Sequence, residues 1–261
     1  MAEVTNGTHH APSAAELYDD IWTQAYGDMQ DVGPVHRHMR RLLDGVLGEL
    51  DYDSVLDVGC GAGHNLPVIA AGRRLKRVTG LDVSPEALRR AEARSAAEFV
   101  RADIQREHPD RTWDLVFSSL VLEHLADDEA ALAHMRAMTA RHLVVVTIAG
   151  DFERYRPWEE QMGHVRNYRR GELEAKLTSA GFDVQRTIYW GFPFYTPIAR
   201  TLQNRMTVEP SFSASTRLLA RIMHTVFRLN SSRRGDLLIA VAQPSAPATA
   251  RTESSSERAG A

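Results

Sequence analysis

Between Ala14 and Leu50 the apolar residues Leu17, Ile21 and Ala25, then Met39, Leu42, Leu43, Val46 and Leu47, recur at helical spacing around a Gly33-Pro34 break. Apolar positions three and four apart share one helical face, so two amphipathic helices are predicted here. From Ser54 the period changes to short β-branched and apolar runs alternating with helical segments, the pattern of a parallel sheet with crossover helices. Strands are predicted at 54–59, 77–82, 98–102, 113–119, 141–148, 183–190 and 237–243, and helices at 62–71, 84–95, 127–140 and 170–180. Ser84-Pro85-Glu86 opens the second of these helices with an N-cap and a proline at its first position, and Gly181 ends the fourth. Residues 150–169 and 191–236 break the alternation, and insertions in an α/β domain usually decorate its substrate side.

The ends behave differently. Residues 1–13 and 244–261 are polar, small and without apolar periodicity, which predicts disorder at both termini. The resulting organisation is a helical cap over 14–50, an α/β domain over 51–243 that contains the 191–236 insertion, and two tails. A length of 261 residues with 43% hydrophobic content is enough for one large core. The net charge of -3 offers no overall attraction to a phosphate polymer, so no nucleic-acid partner is expected. Cys60 is the single cysteine, and no basic, apolar leader opens the chain, which together point to a cytoplasmic protein. Lysine occurs only at Lys76 and Lys176, against abundant arginine and alanine, a composition of GC-rich bacterial genomes.

The most specific local pattern is Val55-Leu56-Asp57-Val58-Gly59-Cys60-Gly61-Ala62-Gly63, a buried strand running into a glycine-rich turn and a helix. Side chains in such a turn would keep a ligand from the backbone. A dinucleotide loop needs a third glycine where His64 stands, which argues against a nicotinamide-dependent oxidoreductase. Asp82 closes the next apolar run, where a carboxylate can accept two hydrogen bonds from a ribose diol. Over residues 50–190 these features, in this order, resemble the class I S-adenosylmethionine-dependent methyltransferase family. The resemblance implies a Rossmann-like α/β fold, a seven-stranded mostly parallel sheet with flanking helices, here carrying N-terminal helices and an insertion before the last strand as a cap. It also implies S-adenosylmethionine as cofactor and S-adenosylhomocysteine as product. Asp57, Gly59, Gly61 and Gly63 would then face the cofactor's amino-acid part, Asp82 its ribose and Val83 its adenine. Asp103 and Ile104 would meet the adenine edge, and Ser119 would complete the pocket.

After strand four comes Leu122-Glu123-His124, which also resembles the family and differs from the Asn/Asp-Pro-Pro-Tyr type of motif carried by many methyltransferases of exocyclic amines. No acidic cluster resembles the metal site of catechol-type members, so no metal is expected. In-line attack on an activated methyl chiefly needs a nucleophile held close, aligned and dry. A hydroxyl nucleophile gains further from a base that titrates near working pH, which directs attention to His124 and His164, with His36 behind them. Tyr18, Trp22, His36, Tyr168 and Phe194 are the candidate acceptor contacts. Leu218, Leu219, Ile222, Met223, Val226 and Phe227 predict one apolar helical face beside Arg217, Arg221 and Arg228, serving as a lid, a homodimer face or a membrane contact.

The expected activity is methylation of a small-molecule acceptor, O-methylation of a sugar or other secondary metabolite before N- or C-methylation. A non-catalytic binding protein with this fold would be expected to lose the loop glycines or Asp82, and both are intact.

Overall fold

The computed structural model describes residues 27–205 and 211–246. Two helices come first, α1 (Gly27–Val32) and α2 (Pro34–Gly48), separated by Gly33 as the Gly-Pro break requires. The sheet strands are β1 (Ser54–Val58), β2 (Arg77–Asp82), β3 (Glu98–Arg101), β4 (Trp113–Ser119), β5 (Thr139–Ile148), β6 (Phe182–Trp190) and β7 (Leu237–Pro244). Between them run α3 (Leu66–Ala70), α4 (Pro85–Glu92), α5 (Asp128–Met138), α6 (Arg156–Gln161), α7 (Glu172–Ser179), α8 (Arg200–Gln203) and α9 (Ala214–Phe227). The predicted helix over 62–71 keeps only one turn, because residues 61–65 fold as turns of the glycine loop. Ser84 caps α4 as its sequence predicts, its hydroxyl accepting from the Ala87 N–H at 3.0 Å.

The sheet order is β3-β2-β1-β4-β5-β7-β6, with β7 antiparallel to both neighbours and every other pair parallel. Between β1 and β4 the connections diverge to opposite sides, and a crevice at such a switch point is where α/β sheets bind ligands. Register brings three strand ends level: Val58 stands opposite Leu81 on one side and Ser118 on the other. The glycine loop, Asp82 and Ser119 therefore emerge side by side.

Each face of the sheet has its own core. On one, Ala131, Leu132, Met135 and Met138 of α5 and Leu173 and Leu177 of α7 cover Leu56, Val58 and Val116. On the other, Met39, Leu43, Val46 and Leu47 of α2 meet Val55, Phe117, Trp190 and Phe227. The N-terminal helix and the insertion thus pack on the same face. His38 joins them, with its Nε2 2.6 Å from the His224 carbonyl and its ring stacked 4.3 Å from the His224 ring.

Helix α9 divides the predicted apolar face in two. Phe227 is buried and Met223 partly packed, but Leu218, Leu219 and Ile222 are more than half exposed. Among the described residues only the stripe that meets α2 is covered, because those three residues point away from it. No helix among the described residues is long and apolar enough to cross a membrane. The N-terminal tail, Tyr18, Trp22 and residues 247–261 lie outside the described residues.

Candidate active site

At the carboxyl ends of β1, β2 and β4 lies a cavity of about 570 Å³, within the range of small-molecule and cofactor sites. Its near half is built largely from backbone. The N–H groups of Gly59 and Cys60 both donate to the Leu81 carbonyl, at 2.7 and 3.0 Å, which clamps the loop to the end of β2. The Asp82 carboxylate then accepts from the Gly61 N–H at 2.8 Å and from the Ser84 N–H at 2.9 Å. Gly59 sits at φ +69°, and a Cβ there would lie 2.3 Å from Val121 Cγ2. No other residue fits at that position.

Asp57 lies beneath the loop, fully buried, with neither carboxylate oxygen hydrogen-bonded among the described residues. Burial, and secondarily the nearby Asp82, push its carboxyl well above the usual range. A buried acid without a donor costs free energy that a ligand's donor group would remove.

The far half is built from side chains. Leu120, at φ 57°, turns the chain out of β4, held by its N–H bond to the Val146 carbonyl at 2.8 Å. A left-handed conformation in a leucine is strained, and here it directs a short turn of helix, Leu122–His124, beside the cavity. The Glu123 carbonyl accepts from the Val165 N–H at 2.8 Å, tying this turn to the segment that carries His164. The rings of His124 and His164 meet edge to face, with centroids 4.6 Å apart. His164 Nδ1 is 2.5 Å from Glu159 Oε2, and Glu159 is also bonded to the buried Arg200 guanidinium. Arg200 continues to the Ala149 carbonyl at 3.0 Å and Asp236 at 2.6 Å. The Glu159 carboxyl is held below its usual range; burial opposes this, and the bonds from His164 and the Arg200 charge outweigh it. His124 is lowered to about 3, chiefly by burial and then by His164. Its ring is therefore neutral in ordinary buffers, and the pH limb near 6.5 expected of a histidine base is not expected from His124.

Residues 33–187 match the family model described as a methyltransferase domain. This chain belongs to the class I S-adenosylmethionine-dependent methyltransferase family. Among curated relatives, the trans-aconitate 2-methyltransferase of Klebsiella pneumoniae is 35% identical over 95 residues, 36% of this chain and 38% of that protein. The aligned stretch thus spans well under half of the relative. Among solved structures, the methyltransferase bound to the Haloferax volcanii Trm112 activator superposes with a TM-score of 0.63 at 19% identity, covering 90% of this chain and 99% of that one. The magnesium protoporphyrin IX methyltransferase of Synechocystis PCC 6803 gives 0.56 at 18% identity, covering 91% and 100%.

Within this family frame, the cavity wall includes seven of the nine sequence-proposed cofactor residues: Gly59, Gly61, Asp82, Val83, Asp103, Ile104 and Ser119. Asp57 underlies them. Gly63 turns away from the cavity, where a Cβ would meet Leu66 and Ala91, so it serves the packing of loop against helix. His36, His124 and His164 line the same cavity.

Two proposed acceptor contacts fall elsewhere. Tyr168 is completely buried in the α5–α7 core, and its hydroxyl donates to Asp128 at 2.7 Å; its polar end is occupied and its ring is covered. Phe194 packs against the α2 core with its N–H bonded to Asn230, and it is the next residue, Tyr195, that reaches the cavity. The helical turn beginning there reverses which side chain faces inward. Sequence reasoning missed Trp158, Met162 and Thr216 on the wall and the Glu159–Arg200 pair behind it. A glutamate five residues before His164 was the one legible sign of that pair. His64, where a dinucleotide loop would carry glycine, faces the cavity and stands 3.6 Å from Asp31.

Proposed function

We propose that this chain transfers a methyl group from S-adenosylmethionine to a hydroxyl of a small neutral acceptor, a sugar or another secondary metabolite. The observation that carries the reading is the Asp82 carboxylate, aimed by two backbone N–H groups at the mouth of a cavity that continues to His124 and His164. When bound, the cofactor supplies a methyl already activated on sulfonium. Asp82 would take its ribose, and Val83, Asp103 and Ile104 its adenine. Asp57 and the Gly59–Gly61 backbone would take its amino-acid part, whose ammonium answers the unpartnered carboxylate. His124 and His164 would orient the acceptor from the opposite wall and exclude water.

The acceptor class follows from charge. Relatives are named for trans-aconitate, a polycarboxylate. Among the described residues, this cavity wall carries no lysine or arginine, so a polyanion would meet no cationic side chain. That favours a neutral hydroxylated acceptor over an acid, with N- or C-methylation as the second reading. No nucleic-acid partner is proposed, and the chain is proposed to act in the cytoplasm.

Calorimetry with S-adenosylmethionine and S-adenosylhomocysteine tests the cofactor, with NADH as the comparison. Tight NADH binding without binding of either sulfur compound would defeat the reading. Acceptors are then screened by the mass gained on methylation.

A further inference from the structure

We propose that Glu123, His124 and His164 form a binding site for one divalent transition-metal ion, which would hold an oxygen-bearing acceptor in the cavity. A carboxylate oxygen and two imidazole nitrogens from these residues lie within 4.8 Å of one another. Two imidazoles and one carboxylate suit zinc, iron or cobalt better than magnesium, which favours oxygen ligands.

Each ligand has its other polar atom held by the protein, the arrangement that orients metal ligands. Glu123 is fully buried; its Oε2 accepts from the Thr147 hydroxyl at 2.9 Å, while Oε1 has no hydrogen-bond partner among the described residues. His124 directs Nδ1 to the Gly163 carbonyl at 3.1 Å, which assigns ligation to Nε2. His164 directs Nδ1 to the Glu159 carboxylate at 2.5 Å, again assigning Nε2. A buried carboxylate oxygen with nothing to bond is a cost that an ion would remove. The backbone bond from Val165 to the Glu123 carbonyl fixes the two halves of the set together before any ion arrives.

The ion would sit at the wall rather than in the core, since His124 and His164 both line the cavity. Three protein ligands leave positions open, as in catalytic rather than structural sites. Adjacent hydroxyls of a sugar could chelate there. This last role rests on the methyl-transfer reading; the metal site itself does not. No cluster of acids marks this set in the sequence: it has one acid, the histidine beside it and a second histidine forty positions away.

The test is metal binding by the full chain after chelator treatment and desalting, titrated with cobalt(II) and followed by visible absorption and calorimetry. One equivalent should bind, and Glu123→Gln, His124→Ala and His164→Ala should each weaken it by at least about 100-fold. Thr147→Val, which removes only the support of Glu123, should weaken it by about 10- to 100-fold. S-adenosylhomocysteine binding in each variant reports whether the fold is retained. No uptake of cobalt, zinc or manganese by the folded wild type would overturn the site, as would uptake unchanged in all three ligand variants. Full methyl transfer by metal-free protein would also overturn the acceptor role while leaving the proposed function intact. Stoichiometric binding without methyl transfer would support the site and count against the function alone.

Discussion

The two halves of the cavity recognise by different means. On the β1–β3 side the proposed cofactor groups are backbone N–H groups and the carboxylates of Asp57, Asp82 and Asp103, all within residues 57–104, so one continuous stretch of chain suffices. On the β4–β5 side they are side chains drawn from residues 29–39, 119–125, 158–164 and 195–216. A cofactor common to a family can be met by a conserved local geometry of main chain, whereas an acceptor must be met by side chains that many separate segments can supply.

That contrast can be broken most severely from the acceptor side. Arg200 is 2% exposed and bonded to both Glu159 and Asp236. Arg200→Met should leave the buried Glu159 and the partly buried Asp236 without their cation and cost about 3 to 5 kcal/mol of stability, read by denaturant unfolding. A loss under about 1 kcal/mol would show that the pair is dispensable to the far wall.

From the cofactor side, Gly59→Ala adds a methyl against Val121 in a left-handed backbone. Strain and overpacking should together cost about 2 to 4 kcal/mol and abolish S-adenosylhomocysteine binding in calorimetry. Adding Val121→Ala should recover part of that loss, since only the steric share is relieved.

A smaller effect follows from Asp82→Ala, which should weaken cofactor binding by about 1.5 to 3 kcal/mol, the range for bonds to a charged group. Unchanged affinity would remove the ribose assignment. Acceptor KM measured at saturating cofactor should hardly move, which would sharpen the division between the halves.

The smallest concerns Asp128, outside both. Burial would raise its carboxyl, but bonds from Arg166, Tyr168 and Lys176 prevail and hold it below the usual range. A carboxyl depressed on folding contributes stability above its unfolded pKa, and that contribution disappears as pH falls through the folded pKa. Asp128→Asn should therefore cost about 1 kcal/mol at neutral pH, since the amide keeps part of the hydrogen bonding and loses the charge. The two proteins should converge in unfolding free energy in acid, below about pH 4. A constant difference at every pH would assign the loss to packing.

The same division explains what could be read from the chain. The strands and the loop from Asp57 to Gly63 were legible because their signals are contiguous: apolar runs, then glycines at fixed spacing. Asp82 and Asp103 followed, since the first ends a strand that the same periodicity marks and the second comes just after one. His124 could be placed for the same reason, at the end of β4. Tyr168 and Phe194 could not, because an aromatic residue beside a loop looks alike whether it faces a ligand or the core; only Asp128, forty residues away, reveals where the Tyr168 hydroxyl goes. The Glu159–Arg200 pair and the convergence of Glu123 with His164 depend on chain crossings that no local pattern records. Nor does hydropathy alone say that α9 leaves Leu218 and Ile222 bare, since that depends on which stripe meets α2.

The antiparallel run of β7 has a topological consequence. Because β6 and β7 point in opposite directions, the chain leaves one and enters the other at the same edge of the sheet, the edge that carries the cavity. Bridges between Phe192 and Ser231 and between Tyr189 and Arg233 close the neck of the intervening segment. That segment is thus a cassette with its two ends pinned together. Lengthening a loop so pinned adds little closure entropy, about 0.6 kcal/mol for each doubling. The stretch between residues 193 and 230 can therefore change length without re-registering β6 or β7, so long as Tyr195, Arg200 and Phe227 keep their places in the core.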